Sequence, residues 1–257
     1  MQNAIKISII GSGNVGHHLA KELSKVDVDV THISGHNAQS DLELANEIGA
    51  VVCTIEKLPK DQLAIVCVRD EAIGAVLELL DDSIPAAYTS GSIQINNLPE
   101  REDLGVFYPL QTFTKGSELD ISEVPFFIEA TNTDFSNRLM KLASTISDNV
   151  NLASSEERKN MHVAAVLVNN FTNHILHQAK TYSDEHNIDF KHFLPLLNET
   201  VNKLKSDTPF DAQTGPARRG DQQTIEDHLN SLEGSSQEIY KLISDSIKRT
   251  YPKNGEL

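Results

Sequence analysis

Gly11-Ser12-Gly13-Asn14-Val15-Gly16 is the segment that most restricts what this chain can become. It follows an apolar, β-branched run, Ile5–Ile10, and precedes an amphipathic stretch, His17–Val26. A strand, a G-x-G-x-x-G turn and a helix in that order form a cradle for a pyrophosphate. Gly11 permits the tight turn, Gly13 lets backbone approach the anion, and Gly16 lets helix and strand pack closely. Ser12, Asn14 and Val15 complete the turn, and the helix N-terminus offers unbonded N–H groups to negative charge. The alternative is a plain tight turn with no ligand.

The remainder of the first half keeps the same alternation. Short strand-like runs at Val28–Ile33, Val51–Thr54, Leu63–Val68, Ala86–Thr89, Gly105–Tyr108 and Pro125–Ala130 are interleaved with helical stretches at Leu42–Ile48 and Glu71–Leu80. Strands alternating with helices predict βαβ units and a mainly parallel sheet. After Ser154 the strand signals stop. Ser155-Glu156-Glu157 puts acidic residues in a first helical turn, and a long helix is expected to about Tyr182. Further helices are expected over Asp189–Lys205, Asp221–Leu232 and Ser235–Arg249, with a Pro/Gly-rich link at Thr208–Gly220. The fold expected is α/β, a mainly parallel sheet followed by an all-α C-terminal domain, with domains at 1–153 and 154–257.

Charge narrows the function classes. The 257 residues carry 22 Lys+Arg against 37 Asp+Glu, a net charge of −15. Nucleic acid is an unsuitable partner, because binding it rests on neutralising phosphates with Lys and Arg. Anionic lipid is unsuitable for the same reason. No apolar run approaches the roughly 20 residues of a spanning helix. Two Cys cannot build a disulfide framework, and no secretory leader pattern precedes the first strand, so a cytoplasmic protein is expected. The ten His show no HExxH or Cys/His ligand spacing, and no metal site is expected.

Ligands of open α/β sheets bind beyond the carboxyl ends of the strands. At the end of the second strand, Ser34-Gly35-His36-Asn37 contains neither the acid that selects NAD nor an Arg. Ser34, His36 and Asn37 either donate to a 2′-phosphate, which favours NADP with NAD as the alternative, or form an ordinary polar loop. The same rule picks out Val68 and Arg69 for the cofactor, Ser90 for the nicotinamide, and Ser92, Tyr108 and Gln111 for substrate. Capping or surface roles are open for each.

Met161–Gln178 sets His162, Asn169, Asn170, Asn173, His174 and His177 into an otherwise apolar helix. Its first half is apolar almost all round, which predicts deep burial. At about 100° per residue, His162, Asn169 and Asn173 fall within roughly 20° of one line. Such a stripe needs a polar wall, a ligand or water, because a buried amide without partners costs on the order of 1–3 kcal/mol. It either closes a substrate cleft, with His162, Asn169 and Asn170 as catalytic candidates, or forms a satisfied network between helices or subunits. Arg218 and Arg219, in Gln213–Asp221, are the one Arg pair in an acidic chain. They suit a carboxylate or phosphate held bidentately, or a subunit interface.

The strand, the GSGNVG turn, the all-α second half, FYPLQTF (Phe107–Phe113) and QTGPARRGD (Gln213–Asp221) together resemble the bacterial Rossmann-like proteins with a C-terminal domain of unknown function. That group is similar to pyrroline-5-carboxylate reductase, β-hydroxyacid dehydrogenases and deazaflavin-dependent NADP oxidoreductases. The resemblance implies a Rossmann-type NADP-binding domain, a helical domain that forms a homodimer, and an active cleft between them. It implies an oxidoreductase moving a hydride to or from a small oxo, hydroxy or imino acid. One departure stands out. β-Hydroxyacid dehydrogenases place a catalytic Lys on the first long helix of the second domain and an Asn one turn later. Here Lys159 is followed four residues on by Val163, and His162 by Val166. The missing pair favours a second reading, a dinucleotide-binding sensor or interaction module without turnover.

Overall fold

The computed structural model describes residues 5–251, so the outer ends of the two expected domains lie outside it. Its strands are β1 (Ile5–Ile10), β2 (Val28–Ser34), β3 (Val51–Val52), β4 (Leu63–Val66), β5 (Ala86–Tyr88), β6 (Leu104–Pro109), β7 (Phe126–Ala130) and β8 (Val150–Leu152). They form one sheet in the order β3-β2-β1-β4-β5-β6-β7-β8. The described pairs are parallel except β6 with β7, which is antiparallel. β4 and β6 are buried along their whole length, as expected of strands covered on both faces.

Two apolar clusters cover the two faces. Helices α1 (Asn14–Leu23) and α2 (Ala38–Ile48) lie on one face. α3 (Ile73–Leu79) lies on the other. α4 (Thr133–Ala143) joins the first group and crosses from β7 to β8. The sequence reading missed both α4 and β8. α1 begins three residues earlier than the His17 expected, so Asn14, Val15 and Gly16 are its first turn. The period-2 alternation places Phe107 on the α1 side and Tyr108 on the α3 side.

The second half is helical, as expected. α5 (Ser155–Ala165) starts at a capping box in which Ser154 and Glu157 satisfy each other's backbone N–H groups. A π-helical segment, Val166–Phe171, continues it into α6 (Thr172–Glu185). Then follow α7 (Leu194–Lys203), α8 (Pro209–Ala212), α9 (Pro216–Arg219), α10 (Gln222–Asn230) and α11 (Gly234–Thr250). The chain forms two compact units, Met1–Phe171 and Thr172–Leu257. The change of sequence pattern lies at Ala153/Ser154, where β8 gives way to α5.

The helix expected to be buried is not buried within one chain. Val163, Leu167, Val168 and Phe171 in the first unit are all more than half exposed. Asn169 and Asn170 are exposed too. They sit in the π segment, whose wider turn breaks the 100° phase used to align Asn169 with His162. Among the described residues no helix is long and apolar enough to cross a membrane.

Candidate active site

The glycine turn has the geometry its sequence requires. Gly11 sits at φ 107°, a conformation that side chains other than glycine rarely adopt. Its N–H donates to the Ser34 carbonyl at 2.7 Å, which ties the turn to the end of β2. A Cβ on Gly16 would strike the Gly11 carbonyl and stand 3.1 Å from Cys67 Cβ. Close packing of α1 on the strand ends therefore excludes a side chain there. Gly13 differs, because nothing lies within 4 Å of the place a Cβ would occupy. Gly13 is the N-cap of α1, which has no side-chain cap and no acid in its first turn. The N–H groups there stay available to an outside acceptor.

A loop reaches this turn from the far side of β6. His18 Nε2 lies 2.8 Å from the Thr114 carbonyl, His18 packs on Phe113, and the Lys115 N–H donates to Asn14 Oδ1 at 3.4 Å. Lys115 and Lys21 both oppose protonation of His17, whose pKa is lowered chiefly by burial. Glu47, which ion-pairs with Lys21, acts on His17 in the opposite sense.

The loop after β2 is less open than its sequence suggests. Ser34 is buried at 2% exposure. Asn37 is the N-cap of α2, and its Oδ1 accepts from the Ser40 N–H at 3.1 Å. His36 is exposed. After β4, Val68 is half-buried against Gly11 and Arg69 is exposed.

After β5 the chain turns at Ser90-Gly91-Ser92. Ser90 Oγ accepts from the N–H groups of Ser92 at 3.0 Å and Ile93 at 3.1 Å, so this hydroxyl shapes the turn. The Tyr108 ring lies on Gly91; a Cβ there would come within 2.6 Å of Tyr108 Cζ. Tyr108 is 8% exposed, and burial pushes its hydroxyl above the ordinary phenol pKa. That hydroxyl lies 3.3 Å from Nδ1 of the half-buried His162. Gln111 is exposed, and its Oε1 accepts from the neighbouring Thr112 N–H at 2.8 Å instead of joining this group.

Arg158 holds these pieces together and was missed by sequence reasoning. Its side chain is fully buried. It donates to the Ser90 carbonyl at 2.8 Å, the Ile93 carbonyl at 3.1 Å, Ser155 Oγ at 3.1 Å and Glu129 Oε2 at 2.6 Å. Ser155 Oγ also donates to Glu129. Beneath lies Tyr88, whose hydroxyl donates to the Ile93 carbonyl at 3.0 Å and is pushed up to about 12 by burial. Residues four apart share a helix face, so Arg158 carries His162 to the Tyr108 hydroxyl. That spacing was the available signal.

The glycine turn, Val68–Arg69 and the Ser90 turn thus follow β1, β4 and β5, and Tyr108 stands near the end of β6, the next neighbour in the sheet. They share its carboxyl edge, where ligands of such sheets bind. At about 4.8 Å per strand the row spans roughly 14 Å. Arg218 and Arg219 belong to the second unit. There the Arg218 guanidinium stacks 4.3 Å from the Tyr251 ring centroid and 6.0 Å from that of Phe210. Asp221 caps α10 by accepting from the Thr224 N–H at 3.2 Å. Among the described residues no group of three or more His, Cys, Asp or Glu could hold a metal ion.

Comparison with known proteins agrees with this geometry. A family model described as NADP oxidoreductase coenzyme F420-dependent matches residues 6–88, and one described as a domain of unknown function (DUF2520) matches residues 124–247. No curated protein matches the sequence. Among solved structures, a Bacteroides fragilis protein provisionally described as an NADP oxidoreductase is 36% identical over 96% of this chain and 99% of its own, with a TM-score of 0.87. A pyrroline-5-carboxylate reductase from Streptococcus pyogenes shares the fold at 18% identity, over 96% of this chain and 100% of its own, with a TM-score of 0.65. An imine reductase from Streptomyces aurantiacus shares it at 13% identity, over 95% and 93%, with a TM-score of 0.69. Identity of 36% over nearly all of both chains is a family relation, and this chain belongs to the NADP-oxidoreductase family that joins a Rossmann-type domain to DUF2520.

Proposed function

We propose that the protein is an oxidoreductase that passes a hydride between a nicotinamide dinucleotide and a small oxo, hydroxy or imino acid. NADP(H) is the family's cofactor and NAD(H) the alternative. The observation that carries the reading is the Tyr108 hydroxyl 3.3 Å from His162 Nδ1, at the sheet edge that also bears the open glycine turn. The space over Gly13 fits a pyrophosphate approaching backbone N–H groups. When bound, the cofactor supplies or accepts the hydride. The chain's own part is to hold the ligands and move a proton. His162 and Tyr108 form a donor–acceptor pair that can protonate a carbonyl or imine substrate as it is reduced. Arg158 keeps both groups and the Ser90 turn in register. Ser92 and Gln111 are the nearby polar groups offered for substrate orientation, and Asn169 and Asn170 remain catalytic candidates on the exposed π segment. In the second unit, Arg218, held by two rings, suits binding of a carboxylate, with Arg219 beside it in sequence.

We also propose that the protein works as a homodimer. Val163, Leu167, Val168 and Phe171 form an exposed apolar run in a single chain, and clustered apolar surface of this kind suits a protein interface. A non-catalytic sensor is the second reading, and the absent Lys–Asn pair favours it.

Titration with NADPH and NADH, followed by nucleotide fluorescence, tests the first step. A saturable signal is expected, and its absence with both would remove the dinucleotide reading. Oxo and imino acids are then screened for NADPH consumption. His162→Ala should keep nucleotide binding and lower turnover by about 10²–10⁴-fold. Unchanged turnover would remove His162 from the chemistry. Binding without turnover on any acid would favour the sensor.

A further inference from the structure

Asp41 is a buried acid with no evident structural task. It stands in the first turn of α2 and is 2% exposed. Its Oδ1 has no hydrogen-bond partner, although burial normally demands one. Its carboxylate lies against the Cα of Gly35, the residue after β2. A Cβ built on Gly35 would stand 2.9 Å from both Asp41 Cγ and Oδ2. The acid group therefore occupies the place where a side chain at the end of β2 would begin. That is where an acid reads the adenosine ribose 2′-hydroxyl in dinucleotide sites. Here the strand end lacks the acid, and a carboxylate from the next helix fills its position through a glycine.

The surrounding donors agree. Ser34 is buried, and Asn37 is engaged as the α2 cap. Between Ile33 and Asp41 the sequence has no Lys or Arg, and His36 is the one basic side chain. A 2′-phosphate would meet an unpaired carboxylate with little positive charge to offset it. A ribose hydroxyl could instead donate to that carboxylate.

We infer that Asp41 is the specificity residue for the adenosine ribose and shifts this chain's nucleotide choice toward NAD(H). This rests on the dinucleotide reading above and goes beyond it, since the family's cofactor is NADP. Purified full-length protein is titrated with NADH and with NADPH at matched ionic strength, alongside Asp41→Asn and Asp41→Ala. Wild type should bind NADH at least as tightly as NADPH. Both variants should move the ratio of the two dissociation constants toward NADPH by about tenfold or more. Thermal melts of the unliganded proteins accompany the titrations. Asp41→Ala should melt no lower than wild type, because it removes an unpartnered acceptor and substitutes a good helix former. It keeps the test open if Asp41→Asn folds poorly. An unmoved ratio in the folded variants, or a wild type that binds NADPH more tightly than NADH, overturns the assignment while leaving the dinucleotide reading intact. Failure of wild type to bind either nucleotide overturns both.

Discussion

Arg158 Nη2 donates to Glu129 Oε2 at 2.6 Å, joining the first turn of α5 to the end of β7 with a guanidinium that water does not reach. The same guanidinium holds two carbonyls of the Ser90–Ile93 segment, so one side chain fixes three parts of the site. Burial makes the pair sensitive to the loss of either member, because Arg158 left alone would have no solvent to turn to and Glu129, 19% exposed, would have little. Arg158→Met is expected to lower stability by about 3–5 kcal/mol in urea unfolding. Arg158→Lys should recover only part of this, since an ammonium cannot reproduce the planar fork. A loss below about 1 kcal/mol for Arg158→Met would mean that the network is not a structural hinge of the site.

Beyond its place four residues before His162, nothing in the local sequence marks Arg158 for this role. Its partners Glu129 and Ser90 lie 29 and 68 residues away in the chain. The glycine turn and β1 were legible because their signals are local: a β-branched run, then glycines at fixed spacing. β8 was not legible, because Val150–Leu152 is three residues at the sheet edge and owes its conformation to pairing with β7. α4 could have been found from Phe135, Leu139 and Leu142, an apolar stripe at helical spacing among polar residues. The deep burial expected around His162 followed from composition, and composition does not say whether the covering surface comes from the same chain. In the sequence Asp41 is one acid among 37 Asp and Glu residues; only its contact with Gly35 marks it out.

The empty space over Gly13 separates binding from folding. Its φ of −68° is open to any residue, and nothing lies within 4 Å of a Cβ placed there. Gly13→Asp should therefore keep the melting temperature close to wild type. The carboxylate would fill the approach to the helix N-terminus and repel a pyrophosphate. Nucleotide affinity should fall on the order of 100-fold or more, roughly 2.7 kcal/mol. Gly16→Ala is the contrasting change, because its methyl group would strike the Gly11 carbonyl and cost stability first. Retained affinity in Gly13→Asp would move the phosphate site away from this turn.

Two buried acids predict how the fold responds to alkali. Burial pushes the Cys67 thiol from 9.0 up to about 12, and the Tyr88 hydroxyl from 10.0 up to about 12. Both are neutral in the folded protein and ionise more readily once unfolded. The unfolded chain then binds fewer protons, so stability falls as pH rises. Their contribution is complete below about pH 9 and is lost toward about pH 12. Each group adds a slope of up to about 1.4 kcal/mol per pH in that window. Urea titrations from pH 8 upward should show the decline, and Cys67→Ala should flatten its start, between about pH 9 and 10. A profile whose early slope is the same with and without the thiol would contradict burial of Cys67 behind the glycine turn.

Association should depend on the exposed run around the π segment. Val168 is 74% exposed in one chain, so replacing it with Glu removes little packing inside that chain. In a homodimer closed over this surface, the same change would bury two unpaired carboxylates by symmetry. Val168→Glu should therefore shift light-scattering mass from dimer toward monomer at micromolar concentration. The monomer's circular dichroism should stay helical, while its melting temperature becomes less dependent on protein concentration. Leu196, 66% exposed on α7, is the matched control for exposure in the second unit. A dimer unaffected by Val168→Glu but broken by Leu196→Glu would move the interface to α7. A wild type that is monomeric at high concentration would leave the apolar run to another partner.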